Sequence, residues 1–447
     1  MPESLKNCSN KGEWKYINDA SFDQLFEEGL EYSSPARGCW NIVHTGMMIP
    51  ESHQIFVCAL GCLRGVALTA AEINAMDRYS AIVIEEDEVL NGGMEDLMID
   101  GVSDILDKLP YRPKAILLFI SCQHFFLAYD QKMVFEELRK RYKDIRFLDC
   151  YMIPTLRKSG ITPDQKMRIQ LYKLLERSDI SKVDEKRINL IGSNLRIYQK
   201  SELVTVLNEN GYKLSQISDY KRFEDYLTMA DAKFNIVYEP VGIKSAIDLK
   251  ERLNQEYIYM TFSFDEEELL TNYRNLYNLL GLNYDDKIFE KYMNESRNAL
   301  KKAFELIKDT PIVIDSTFTF RILSLCKRLL KEGFNVQAIY ADNFMAEDKR
   351  DFEWIRENYP NIKIYATSRP LMRMLNRDLP YKVLALGQKA AYFTNSGYFV
   401  NFVEGGGYFG FMGIAKIAEL MTEAFNECKD TRGLISQKGY NCERMLL

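Results

Sequence analysis

All three histidines of this 447-residue chain, His44, His53 and His124, fall in its first third, interleaved with Cys39, Cys58, Cys62 and Cys122. Imidazole and thiolate are metal-ligating groups, and soft thiolates select zinc or iron–sulfur clusters. No CxxC pair occurs, and Cys39, Cys62 and Cys122 are far apart in sequence, which argues against a zinc ribbon. Three such cysteines can still meet if each sits on a loop at one sheet edge. Cys39 follows the turn-forming SSPARG, Cys62 lies between Gly61 and Gly65 in VCALGCLRG, and Cys122 ends the most apolar run, KAILLFISC. Bare glycine backbone permits close approach, and its N–H groups can point at sulfide. Taken singly, each cysteine is equally a small buried hydrophobe, and that reading is adopted for Cys8, Cys150, Cys326, Cys428 and Cys442.

The elements that must position these residues come from the rest of the chain. Its length exceeds one ordinary core, and 47% hydrophobic with 27% charged residues is a globular composition. A net charge of -6 without basic blocks excludes a nucleic-acid footprint. The amino terminus lacks an apolar leader and the apolar runs are of strand length, so the expectation is a cytoplasmic protein without a membrane span. Nine cysteines, an odd number, point to thiols or metal ligands rather than a disulfide framework.

Short apolar runs at 114–122, 188–194, 234–240, 311–317, 335–342, 362–367 and 382–387 alternate with amphipathic stretches at 131–144, 201–211, 243–255 and 320–333. This alternation predicts an α/β fold of parallel sheets covered on both faces. There are too many runs for one sheet. Boundaries at the polar 176–187 and within the helical 282–308 give three Rossmann-like units, 1–180, 181–295 and 296–447. Ligands of such folds lie beyond the carboxyl ends of the strands, where Ser121-Cys122, Ser193-Asn194, Glu239, Asp315-Ser316 and Thr367-Ser368 fall. GxGxxG follows none of these runs and GxxxxGK[ST] does not occur, so a dinucleotide or P-loop site is unsupported. The glycine-rich VEGGGYFGFMG (403–413) reads either as an anion-binding helix start or as a close-packed turn.

Four segments together, SSPARGCWNIVHTG, VCALGCLRGVALTAAE, VLNGGMEDL and PKAILLFISCQHFFLAYD, resemble the nitrogenase component 1 superfamily. RINLIGSNLRIYQKSELVTVLNENGYKLSQIS, AKFNIVYEPVGIKSAIDLKERLNQEYIYMTF and VEGGGYFGFMGIAKIAELM extend the resemblance over nearly the whole chain. It implies three Rossmann-like domains around a central cleft. By position, Cys39, Cys62 and Cys122 correspond to the cysteines that hold an iron–sulfur cluster between two homologous subunits, either 4Fe–4S or a P-cluster-like 8Fe–7S. Cys58 has no strict counterpart and is either a fourth thiolate or loop packing. Asp130 occupies the family's acidic turn, with Ala128-Tyr129 in place of the usual glycine. The family's cofactor-ligating cysteine and histidine fall on Glu239 and Phe409, which argues against an iron–molybdenum cofactor and against dinitrogen reduction by this chain as an alpha-type subunit.

The resemblance implies an electron relay: a homodimer or heterodimer with a homologous subunit, supplied by an ATP-dependent iron–sulfur reductase and reducing a substrate other than dinitrogen. A non-catalytic beta-type subunit and a metallocluster-assembly scaffold are the alternatives. Glu239, Asn194, Asp315, Ser316 and Phe409 are the expected cleft residues. Glu239 is the candidate proton donor, against a solvated or helix-capping carboxylate, and His53 and His124 are either donors near the cluster or ordinary hydrogen-bonded histidines.

Overall fold

The computed structural model describes residues 12–27, 29, 31, 41–153, 163–177, 183–431 and 433. Cys8, Cys39 and Cys442, and the expected boundary at residue 180, lie outside them. Residue 295 lies within the helix Lys287–Ile307.

The strands form three sheets. The first takes β2 (Ser52–Cys58), β3 (Tyr79–Val83), β4 (Ala115–Ser121) and β5 (Arg146–Met152) in the order β3-β2-β4-β5. The second takes β6 (Asp184–Ile191), β7 (Lys213–Ser215), β8 (Ala232–Val237) and β9 (Glu256–Tyr259) in the order β7-β6-β8-β9. The third takes β1 (Trp14–Tyr16), β10 (Ile312–Asp315), β11 (Val336–Tyr340), β12 (Lys363–Tyr365), β13 (Leu384–Leu386) and β14 (Phe399–Val400) in the order β1-β12-β11-β10-β13-β14. Among the described residues every pairing is parallel except that of β1 with β12. The α/β expectation therefore holds: parallel strands need crossover connections, and helices supply most of them.

The apolar runs are continuous rather than alternating because the central strands are covered on both faces. All seven residues of β2 and all seven of β4 are buried. Their side chains part with a period of two. Phe56, Cys58, Leu117 and Phe119 enter one core with Leu63, Val66 and Ala70 of the helix Leu60–Glu72. Ile55, Val57, Ile116, Leu118 and Ile120 enter another with Met98, Val102 and Leu106 of Met94–Lys108 and Val134, Phe135 and Leu138 of Gln131–Arg141. Burying each large apolar side chain contributes about 1.5–3 kcal/mol before chain entropy is set against it.

The first and second sheets belong to one compact unit, and the core around Phe56 continues into Ile191, Val237, Ala246 and Leu249. The third sheet belongs to a second unit with Leu195–Glu209 and the described chain from Met260 onward. Among the described residues no helix is long and apolar enough to cross a membrane.

Candidate functional site

β2 and β4 are neighbours, with Val57 level with Ile120, so Cys58 and Ser121 end their strands at the same edge. Each strand leads at once into a helix, Leu60–Glu72 after β2 and Cys122–Phe126 after β4. Cys62 is the third residue of the first helix and Cys122 the first residue of the second, so VCALGCLRG is a strand end and helix start rather than a free turn. Ala59, at the N-cap of the first helix, has no capping side chain of its own. Gln123 supplies one: its Oε1 accepts from the Ala59 N–H at 3.1 Å and from the Ser121 hydroxyl at 3.3 Å, fastening the two helix starts to each other. Nothing in the spacing of QHFF marks Gln123 for this part, because its partner lies 64 residues earlier.

Cys62 is exposed, Cys122 half-buried and Cys58 wholly buried. Burial first, then the charges of Cys62 and Cys122, push the Cys58 thiol up to about 12; burial and then Cys122 also raise Cys62. The three sulfurs are thus close enough to feel one another. Cys62 and Cys122 stand in the first turns of their helices, whereas Cys58 points into the core. A side chain at Gly61 would meet no atom within 4 Å, so the backbone beside Cys62 is bare, as a bulky sulfur-containing group requires. Among the described residues no three His, Cys, Asp or Glu side chains converge as a metal site. Cys150 and Cys326 are buried and Cys428 is exposed.

His53 lies at the opposite end of β2, about 17 Å from Cys58 at strand rise. Its Nδ1 shares a hydrogen with the Tyr111 hydroxyl at 2.7 Å and its Nε2 with Ser80 at 2.8 Å. Burial, reinforced by Arg78, lowers its pKa to about 4, so it is a neutral, fully bonded core histidine. His124 caps its own helix: its Nδ1 accepts from the Ser121 N–H at 3.2 Å. That bond places its proton on Nε2, which is buried and has no hydrogen-bond partner among the described residues. Its pKa is also about 4, chiefly through burial. Asp130 caps Gln131–Arg141 through the Met133 N–H at 3.0 Å, and Ala128 holds the left-handed φ of 53° where the superfamily pattern has glycine.

Asn194 and Glu239 come together at one edge of the second sheet, where β6 pairs with β8 up to Ile191 and Val237. Glu239 heads the turn Pro240–Gly242 without a side-chain cap and is 1% exposed, so it is neither solvated nor a capping carboxylate. The Tyr172 phenol is raised by burial, lowered by Arg168 and raised by Glu239, which sets all three in one buried cluster. Arg168, 2% exposed, donates to the Gly192 carbonyl and to Asn194 Oδ1 at 3.2 Å, and Thr45 donates to the same oxygen at 3.1 Å. Arg168, Tyr172 and Thr45 were not marked by sequence pattern, since an arginine in an amphipathic helix normally reads as solvated.

Asp315 and Phe409, in the other unit, are structural groups. Asp315 is fully buried and accepts from Thr317 N–H at 2.7 Å and Ala390 N–H at 2.7 Å, capping the helix Gln388–Thr394 in place of Gly387, which has no side chain. Phe409 is fully buried, edge-on to Phe262 at 5.8 Å and to Tyr273 at 6.5 Å. The glycine-rich turn does begin a helix with an anion at its start, but the anion is internal. Buried Glu202 accepts from the N–H groups of Phe411 at 2.6 Å and Met412 at 3.1 Å and from the Tyr273 hydroxyl at 2.7 Å. Gly410, at φ 85°, is required there because a Cβ would stand 2.0 Å from the Glu202 carboxylate.

No protein-family profile matches the chain, and no curated protein does. Solved structures do match, among them nitrogenase Cp1 at pH 6.5, with TM-score 0.68, 13% identity and 91% of this chain against 97% of that one, and nitrogenase Cp1 at pH 5, with TM-score 0.56, 12% identity and 100% against 97%. The chain has a nitrogenase component 1-like fold.

Proposed function

We propose that the chain is a cytoplasmic component 1-type subunit of a nitrogenase-like oxidoreductase, with Cys39, Cys62 and Cys122 holding an iron–sulfur cluster, 4Fe–4S or 8Fe–7S, shared with a homologous subunit. The observation that carries this reading is the level ending of β2 and β4, which sets Cys62 and Cys122 on two tied helix starts with accessible sulfur. When bound, the cluster supplies one-electron transfer. The chain's own part is to hold thiolates at two helix N-termini, keep the backbone at Gly61 bare and offer the second subunit an apolar surface. Leu60, Leu90, Phe125 and Phe126 supply that surface, exposed to 71%, 73%, 63% and 71% at the carboxyl ends of β2, β3 and β4. Cys58 is the fourth sulfur of the group, and its burial supports a packing part. Electrons come from an ATP-dependent iron–sulfur reductase, and the chain is organised as three domains, 1–180, 181–295 and 296–447. Glu239 handles a proton for the bound substrate, a part that its burial supports.

A second reading, a non-catalytic beta-type subunit or an assembly scaffold, is favoured by Phe409, whose ring is committed to aromatic packing. Anaerobic purification with iron and acid-labile sulfide analysis tests the shared premise. Iron and sulfide are expected in the wild type and in Cys326→Ala, and lost in Cys62→Ala; their absence from the wild type refutes the cluster. Turnover with a matching reductase then selects the oxidoreductase, whereas release of the cluster to an acceptor without turnover selects the scaffold.

A further inference from the structure

One peptide group fixes where Cys62 stands. Cys62 donates its N–H to the Ala59 carbonyl at 2.9 Å, so its backbone follows Ala59. The Cys58–Ala59 peptide is in turn held from two sides. Its carbonyl, on Cys58, accepts from the Ile84 N–H at 3.1 Å, just past the end of β3. Its N–H, on Ala59, donates to Gln123 Oε1 at 3.1 Å, and among the described residues it has no other acceptor. Gln123 follows Cys122 directly in sequence. One glutamine side chain and two hydrogen bonds therefore connect the residue after Cys122 to the backbone of Cys62.

The chemistry of the amide fixes which atom does this. A backbone N–H only donates, so the atom facing Ala59 is the oxygen, and the Ser121 hydroxyl donates to the same oxygen at 3.3 Å. Length matters as well: asparagine would end one methylene short, whereas glutamate has the same reach and also accepts. His124, the next residue, plays a different part, since its Nδ1 accepts from the Ser121 N–H within its own helix start. The pairing of β2 with β4 reaches Val57 and Ile120, and the Gln123 link lies past it, where both chains leave their strands.

We propose that Gln123 is a positioning residue, which sets the backbone of Cys62 relative to Cys122 so that the two thiols capture one thiophilic group together. The inference rests on the reading of these cysteines as ligands of one cluster, and it gives Gln123 no contact with that cluster. Without the amide oxygen, the Cys58–Ala59 peptide is fastened on the Ile84 side alone and is free to carry Cys62 away from Cys122.

Dibromobimane, applied to the chelator-treated full chain, reads this placement without metal. Each sulfur displaces one bromide, so two C–S bonds replace two C–Br bonds, two protons and two bromide ions leave, and the product fluoresces once both ends have reacted. A Cys62–Cys122 cross-link, located by peptide mapping, is expected in the wild type. Its ring-closing rate is taken relative to labelling by monobromobimane, which needs one thiol and so cancels differences in thiol reactivity. That relative rate is expected to fall roughly fivefold in Gln123→Asn, the factor one lost hydrogen bond is worth, and to stay at the wild-type value in Gln123→Glu. No Cys62–Cys122 cross-link in the wild type, a wild-type rate in Gln123→Asn, or equal slowing in both variants overturns the proposal. Iron and sulfide analysis of the untreated wild type is a separate measurement: their absence removes the cluster reading, while the cross-link, which needs no metal, still decides the placement.

Discussion

At the scale of single residues, buried polar groups settle more of this protein than its cysteines do. Glu202 holds three donors at the start of the helix Gly410–Asn426 and burial raises its pKa, which those hydrogen bonds oppose. Glu202→Ala removes a helix cap and leaves Tyr273 without its acceptor, so urea denaturation is expected to show a loss of roughly 2–4 kcal/mol. Gly410→Ala is expected to be similarly destabilising, because the added Cβ meets the same carboxylate. An unchanged midpoint in both variants would show that the carboxylate does not hold the turn. SELVTVLNENG showed Glu202 only as the second residue of an amphipathic stretch; its partners Phe411 and Met412 lie 209 and 210 residues later.

At the scale of elements, β2 carries opposite jobs at its two ends. Its carboxyl end delivers Cys58 and the helix start bearing Cys62, while its amino end buries neutral His53. The folded pKa of His53, about 4, lies below its unfolded value of 6.5. The unfolded chain therefore takes up a proton first as pH falls, and stability present above 6.5 is lost progressively toward about pH 4. The full loss is on the order of 3 kcal/mol. Urea midpoints measured across that range should fall with acid in the wild type and fall less steeply in His53→Gln; parallel slopes would remove His53 as a source. β4, β6, β8, β10, β11, β12 and β13 were readable as short apolar runs, which β2 was not among, and the helices because their apolar residues recur with helical spacing. β1 was not readable: three residues, WKY, become a strand only by pairing with Tyr365, Ile364 and Lys363.

At the scale of the whole molecule, the exposed apolar residues at the edge of the first sheet belong with the proposed second subunit. Phe126→Asp, on a side chain 71% exposed, is expected to leave folding intact and to weaken self-association or pairing with the homologous chain at least tenfold. Sedimentation velocity over a concentration series reads this directly. A variant that associates as the wild type does would place the interface elsewhere.

From the sequence alone came the α/β class, the approximate course of seven strands and four helices, and the sheet edges at which Cys122, Asn194, Glu239 and Asp315 stand. These follow from hydropathy period and chain punctuation, which are local properties. The tertiary structure alone decided which polar groups at those edges are engaged. It put Gln123 between two helix starts, Glu202 under the glycine-rich turn and Arg168 beside Asn194. Burial and hydrogen-bond partnership are relations between distant segments, created when the sheets pack, and no periodicity within one segment records them.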